Sequence, residues 1–289
     1  MSAYHTPVLL QESIAALAIR SDGIYVDATL GGGGHTRAIL DKLGPEGRLI
    51  AFDKDADALA QAPEDERLTV VQADFRFVHN FVKYHGHPAV DGILADLGVS
   101  SHQFDTEERG FSFRFDKAPL DMRMNVRAAK SAADIVNSYS EEDLERIFRL
   151  YGEVEGSGRL AGLIVAGRTA SPLKTTEDLG RVIAPALPKF LEHKHLAKIY
   201  QALRIEVNGE MASLEGFMKG AVRSLGQGGR LAVITYHSLE DRIVKNAIRD
   251  ACQEGLLRRV TKKPLLPSEE EIALNTRARS AKLRVAGKL

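Results

Sequence analysis

The chain has 289 residues, 44% of them hydrophobic and 27% charged, enough for one large domain or two modest ones with a real core. Its 39 basic and 39 acidic residues cancel, which excludes a globally basic nucleic-acid coat and an acidic tail protein. A single cysteine, Cys252, excludes a disulfide framework and a multi-cysteine zinc site, and no run approaches the ~18 apolar residues of a membrane span.

Met1 to Leu10 shows no basic segment followed by a long apolar run, so a cytoplasmic protein with no membrane partner is expected. The first third then alternates short apolar runs with helical patterns, the signature of an open α/β sheet. Gly23 to Ala28 predicts a strand, Gly31 to Gly34 a sharp turn, and His35 to Leu43 a helix ended by Gly44-Pro45. Further strands are expected at Arg48–Phe52, stopping at Asp53, at Leu68–Val71 near Asp74, and at Val90–Ala95, stopping at Asp96.

The rhythm then changes. Helices are expected at Ser140–Leu150, Arg159–Arg168, Thr176–Ile183 and from His195 onward. Strand signals return at Gly229–Thr235, followed by a helix over Leu239–Cys252. A strand-free stretch of roughly 100 residues between two strands of one sheet suggests an inserted helical domain. The expected organisation is residues 1–107 and 208–289 forming the sheet domain, with 108–207 inserted for substrate recognition. Leu256–Val260 and Lys282–Val285 would close the sheet, separated by an acidic helical piece, Ser268–Leu274.

The glycine turn is the first candidate site. Asp27-Ala28-Thr29-Leu30-Gly31-Gly32-Gly33-Gly34-His35 lies between a strand and a helix, where glycines let a ligand approach the backbone. Asp53 ends the next strand about 20 residues on, where a carboxylate meets ribose hydroxyls. Against the plain reading of a tight turn, the combination indicates a nucleoside cofactor. No Gly-Lys-Ser/Thr follows, which disfavours an ATP P-loop, and the G-x-G-x-x-G pattern of NAD sites is met only in its first two positions. S-adenosylmethionine has no pyrophosphate and needs only the turn and the ribose carboxylate, and Asp27 suits its cationic sulfonium or amino group. The balance favours S-adenosylmethionine.

Asp96-Leu97-Gly98-Val99-Ser100-Ser101-His102-Gln103 is the second candidate. Asp96 falls at the carboxyl edge of the sheet, where open α/β folds bind ligands. Acceptors that hold the hydrogens of a base's exocyclic amine help it pyramidalise toward a methyl group, a positioning effect. A loop-fixing or helix-capping Asp is the competing reading. Third, Arg109-Gly-Phe111-Ser-Phe-Arg114-Phe-Asp116 and Pro119 to Met124 interleave aromatics with arginines, as in surfaces that stack bases and hold phosphates. Arg109, Phe111, Arg114 and Arg123 are the RNA-binding candidates here; a half-buried strand with Phe inside and Arg outside is the alternative.

Tyr236-His237-Ser238-Leu239-Glu240-Asp241 follows the fifth strand. It lacks a G-x-S-x-G elbow, and Ser238 capping a helix with Asp241 explains it better than a hydrolase triad. His193-Lys194-His195 lacks metal-site spacing, so no metal is expected. From Gly255 to Leu289, nine Lys/Arg, among them Arg277 and Arg279, stand against three Glu, consistent with a polyanion partner or a solvated face. Cys252 sits mid-helix, which disfavours methylation at a pyrimidine carbon by a cysteine nucleophile.

With these residues in view, the chain closely resembles the RsmH (MraW) family, bacterial S-adenosylmethionine-dependent methyltransferases acting on the N4 amine of a cytidine in 16S ribosomal RNA. The resemblance runs through His5–Leu10, Asp27–Thr36, Asp96–Gln103, Arg109–Met124, Gln201–Ile205, Gly228–Arg230, His237–Lys245 and Arg277–Arg284. It departs at Asn125, where the family usually continues with Asp, and along Val154–Gly162, where several expected basic residues are replaced. The resemblance implies a Rossmann-like methyltransferase sheet with a helical insertion, and cofactor contacts at Gly33, Gly34, His35, Asp53, Phe75, Asp96 and Gln103. It also implies that Asp96 positions the amine, with the Ser100 region, His237 and Arg109–Arg123 framing the base. The partner it implies is 16S rRNA within the assembled small subunit; the oligomeric state is open, a homodimer being one form. Two other classes stay open: an NAD-dependent oxidoreductase, and a non-catalytic ribosome-assembly or RNA-binding module.

Overall fold

The computed structural model describes residues 7–188 and 192–289, so His5 and Thr6 of the N-terminal motif lie outside the described residues. Two compact units emerge: residues up to 98 together with 211–289, and residues 99–210. The sequence reading places these breaks at 107/108 and 207/208.

The first unit carries β1 (Ile24–Asp27), β2 (Arg48–Asp53), β3 (Leu68–Gln72), β4 (Val90–Asp96), β5 (Leu225–Thr235), β6 (Leu257–Arg259) and β7 (Lys282–Lys288). They form one sheet in the order β3-β2-β1-β4-β5-β7-β6. Neighbours from β3 through β5 run parallel, while β7 is antiparallel to both β5 and β6. β5 starts at Leu225 rather than Gly229, and its pairing with β4 is shifted between Val90 and Gly92.

Strands covered on both faces need apolar residues at consecutive positions. Ile50 and Phe52 of β2, Ile93 and Ala95 of β4, and Leu231 and Val233 of β5 enter one core. Leu49, Leu94, Ala232 and Ile234 face the other way into a second. Helices Val78–Tyr84, Glu210–Ser224 and Ser238–Gln253 supply Val78, Phe217 and Val244 to the first core. Helices Leu10–Leu17 and Gly34–Leu40 supply Leu17 and Ile39 to the second. The strand order reverses between β1 and β4, so the loops leaving their carboxyl ends diverge and open the crevice in which α/β sheets bind ligands.

The second unit is helical. Ala132–Ser138, Glu141–Gly152, Ser157–Ala170, Thr176–Ile183 and Glu192–Asn208 bury Ile135, Phe148, Ile164, Leu179 and Leu203 in a common core. Its described residues form no ladder beyond an isolated bridge between Pro119 and Thr175. Arg109 to Asp116 is accordingly not the half-buried strand that its alternation allows.

Candidate active site

Asp27, the last residue of β1, is fully buried. Its Oδ2 accepts from Thr36 Oγ1 at 2.7 Å and its Oδ1 from the Thr29 amide at 3.1 Å. Burial pushes this carboxyl up to about 7, against the pull of those donors and with Asp53 adding to the rise. Asp53, ending β2, accepts from the Gly31 amide at 2.9 Å and from the Asp55 amide at 2.9 Å, which ties the glycine turn to the second strand. Burial raises its pKa as well. The turn needs left-handed backbone at Gly31 (φ 49°) and Gly33 (φ 75°), where L side chains are strained.

Asp96 ends β4 with 23% of its side chain open. Its amide donates to Thr29 Oγ1 at 2.7 Å, and its Oδ1 accepts from the Tyr236 hydroxyl at 2.6 Å. Burial pushes Asp96 up to about 7, the Tyr236 hydrogen bond opposing and Asp27 adding to the rise. His35 Nδ1 lies 3.7 Å from Asp96 Oδ2, but burial lowers His35 to about 4, so at neutral pH it supplies no charge. Tyr236 is held well above its ordinary value by burial, with Asp96 reinforcing the effect, and stays a phenol donor.

Asp74 shows the opposite electrostatics. Lys54 at 3.2 Å, Arg76 at 3.0 Å and the Ser213 hydroxyl at 2.8 Å surround it. Burial alone would raise its pKa; these donors and charges hold it down at about 2. Phe75 follows directly, half-buried, edge-on to Phe217 with centroids 5.1 Å apart and with Lys54 Nζ 5.9 Å from its own. An apolar ring thus stands next to the carboxyl ends of β2 and β3.

The local cations are engaged by Asp74. Among the described residues no lysine or arginine pairs with Asp27, Asp53 or Asp96. Three carboxylates, with Asp27 in charge reach of both Asp53 and Asp96, flanked by a glycine turn and an aromatic face, are a donor set suited to a cation bearing a nucleoside.

Not every expected residue plays its expected part. At Gly34 a Cβ would collide with Pro7 Cγ, so the chain's own N-terminal segment requires glycine there. His237, rather than Ser238, caps the helix Ser238–Gln253, which corrects the sequence reading. Its Nδ1 accepts from the Glu240 amide at 3.4 Å, its Nε2 lies 3.2 Å from Glu240 Oε1, and Glu240 Oε2 accepts from the Tyr236 amide at 2.8 Å. Ser100 likewise caps Ser101–Asp105: its Oγ accepts from the Gln103 amide and its amide donates to Gln103 Oε1, both at 3.1 Å. Both residues serve helix starts.

The arginine and aromatic segment divides in two. Phe111 is a core residue of the second unit, and Arg109 is buried, donating to the carbonyls of Arg123 and Met124 at 3.0 and 3.2 Å. Those two serve packing, which corrects their reading as a surface for RNA. Arg123 grips Asp121 through two hydrogen bonds, at 2.9 and 2.6 Å. Arg114 is exposed and stands 4.9 Å from the Phe104 centroid while donating to Asp105. In the tail, Arg279 is exposed and Arg277 half-buried. Tyr236 and Thr29, which fix Asp96, carried no role in the sequence reading; only the adjacency of β1, β4 and β5 reveals them.

A family model described as the MraW methylase family matches residues 2–289. A protein named ribosomal RNA small subunit methyltransferase H from Parabacteroides distasonis is 52% identical, covering 100% of this chain and 98% of its own length. One of the same name from Flavobacterium johnsoniae is also 52% identical, at 99% and 98% coverage. Among solved structures, an rRNA methylase from Streptococcus thermophilus aligns at a TM-score of 0.45 with 13% identity over 99% of each chain. NSun6 from Pyrococcus horikoshii, crystallised with SFG, aligns at 0.48 with 14% identity, covering 100% of this chain and 55% of its own. No described helix is long and apolar enough to cross a membrane. With a match along its whole length and half its residues shared with such relatives, the chain belongs to the MraW methylase family.

Proposed function

We propose that this chain transfers a methyl group from S-adenosylmethionine to the N4 exocyclic amine of a cytidine in the decoding region of 16S rRNA, within the assembled small subunit. Family membership and the relatives' names support an S-adenosylmethionine-dependent methylation of small-subunit rRNA. The observation that carries the chemistry is Asp96 at the end of β4, its amide held by Thr29 Oγ1 and its carboxylate by the Tyr236 hydroxyl, beside the β1 turn.

The cofactor, when bound, supplies an electrophilic methyl group on a sulfonium. The residues of the first unit that would hold it are Asp27, Gly33, Gly34, His35, Asp53, Phe75 and Asp96. Asp27 and Asp96 offer negative charge that no side-chain cation neutralises, which fits a sulfonium and an ammonium. Asp53 suits ribose hydroxyls at the end of β2, and Phe75 offers an apolar face for the adenine. Asp96 accepts hydrogens of the amine and aims its lone pair, a positioning contribution that depends on the carboxylate staying fixed. Methylation requires the amine to give up one proton, and a carboxyl pushed up to about 7 would be matched to hold it near neutral pH. Reaching the base means unstacking it, at about a few kcal/mol.

The test is transfer of labelled methyl from S-adenosylmethionine to unmethylated small subunits, with protein-free 16S RNA alongside, followed by nucleoside analysis. N4-methylcytidine from the subunit is expected. Label at another atom would refute the amine assignment, and label on free RNA alone would refute the assembled subunit as substrate.

A further inference from the structure

The far edge of the first unit's sheet holds a cluster of cations that the cofactor site does not use. Lys245 on the helix Ser238–Gln253, Arg259 on the edge strand β6, Thr261 and Lys262 just beyond it, and Arg284 on β7 line a cleft of about 70 Å³. Its floor is apolar, made by Ile248 and Val285, both buried. No acidic side chain lines it.

Arg284 is fixed in place. Its guanidinium grips Asp241 at 2.6 and 3.1 Å, with both side chains largely buried, and Lys282 reaches the same carboxylate at 3.6 Å. Five cations therefore stand against one carboxylate. Lys245, Arg259 and Lys262 are exposed and make no hydrogen bond or ion pair with the described residues. Holding three unpaired like charges around an apolar floor costs self-repulsion that an anion would relieve, and the low-dielectric floor strengthens that attraction.

Size and setting narrow the anion. The cleft is small and open to solvent on one side, so it suits a phosphate group presented at the surface. Arg258 and Lys263, both exposed, extend the positive charge along the edge strand and its following turn. A row of cations flanking a phosphate-sized cleft matches a repeating phosphodiester backbone.

We propose that the cleft of Lys245, Arg259, Lys262 and Arg284 binds a backbone phosphate of the substrate RNA, docking the nucleic acid at a point separate from the methyl-transfer site. This rests on the rRNA reading above for its ligand but not on the identity of the methylated atom.

The experiment measures binding of a labelled 16S rRNA fragment to the full chain between 50 and about 300 mM KCl, for wild type and a Lys245→Ala/Arg259→Ala/Lys262→Ala variant. A control removes equal charge from exposed lysines elsewhere in the unit, Lys42→Ala/Lys83→Ala/Lys219→Ala. The expected result is a salt slope shallower by about one for each phosphate that the cleft variant no longer neutralises, with the control nearer wild type and cofactor Kd unchanged in both. Equal slopes in the cleft variant and the control overturn the inference, as does a wild-type chain whose RNA binding has no salt slope. Phosphatidylglycerol vesicles that retain wild type but not the cleft variant, with RNA slopes equal, would assign the cleft to a membrane surface and overturn it too. Methyl transfer to small subunits, measured alongside, separates the two readings: steep salt-dependent binding without transfer condemns the proposed function and leaves the cleft standing.

Discussion

The Tyr236 hydroxyl donates to Asp96 Oδ1 at 2.6 Å, joining the residue just beyond β5 to the last residue of β4. Asp96 registers with Ile234, so the phenol comes from two residues further along and reaches back over the carboxyl edge. That hydrogen bond lowers the pKa of a carboxyl which burial raises. Tyr236→Phe removes the hydroxyl while keeping the ring. A hydrogen bond to a charged group is worth about 1.5–3 kcal/mol, so turnover should fall by roughly tenfold to a hundredfold. The acid limb of the rate profile should also move to higher pH, because Asp96 loses a force favouring its ionised form. Steady-state rates from pH 5.5 to 8.5 check both; a reduced rate with an unmoved limb would mean that the ring's packing, not the hydroxyl, matters.

Asp27 and Asp96 link proton binding to stability and to ligand binding with opposite signs. Both are pushed up to about 7, whereas an unfolded aspartate ionises near 3.9. Between those values the folded chain holds protons that the unfolded chain has released. Their contribution to stability is therefore complete below about pH 4 and is lost as pH rises through about 7. A cationic ligand reverses the preference by favouring the carboxylates. Affinity for S-adenosylmethionine should rise from pH 5.5 to 7.5, by at most about tenfold per pH unit for each proton released. Calorimetry at pH 7 in two buffers of different ionisation heat should detect that release. Asp27→Asn should reduce it, weaken binding, and raise the Tm of the ligand-free protein at pH 8. A pH-independent Kd would contradict the linkage.

How much of this was legible in the sequence depended on where each element found its partners. The helix Thr176–Ile183 matches its expected bounds because Thr175 and Asp178 form a capping box within four residues. The strand ends at Asp53 and Asp96 were legible for a similar reason, an apolar run stopping at a carboxylate. The helix Leu10–Leu17 went unpredicted: its N-cap, Leu9, has φ 51° and no capping side chain. The Leu9 amide donates instead to Glu271, 262 residues away, a partner no local pattern contains. Arg109 and Phe111 misled because alternation of aromatics and arginines does not say which way a loop turns. Here Met122, at φ 59°, belongs to a turn whose amide donates to the Arg109 carbonyl, and the segment folds inward. Tyr236 needed the register of β4 against β5 before its reach to Asp96 existed.

His237 offers a clean separation of roles. As the cap of Ser238–Gln253 it accepts from the Glu240 amide, and Glu240 in turn holds the Tyr236 amide. His237→Ala should cost about 1 kcal/mol of stability, and His237→Asn, a good capping residue, should recover most of it. Turnover should follow the same order, because the alanine variant loosens the placement of Tyr236. A histidine acting as a base would instead leave both variants equally inactive. Chemical denaturation and turnover on the two variants decide between these outcomes.

The glycine turn gives the last test. Gly34 opens the helix that follows the turn, and a Cβ there would collide with the Pro7 ring. Glycine at this position is thus demanded by the chain's own N-terminal segment as well as by any ligand. Gly34→Ala should destabilise by about 1–3 kcal/mol through overpacking and weaken cofactor binding by displacing the turn. Pro7→Ala removes the ring atom that the new methyl would strike. The double variant should therefore be more stable than the two single effects predict, with a coupling of about 0.5–3 kcal/mol, and should regain cofactor affinity. Additive losses would mean that the collision is relieved elsewhere. Full stability with additive loss of affinity would mean instead that the cofactor itself lies against Gly34.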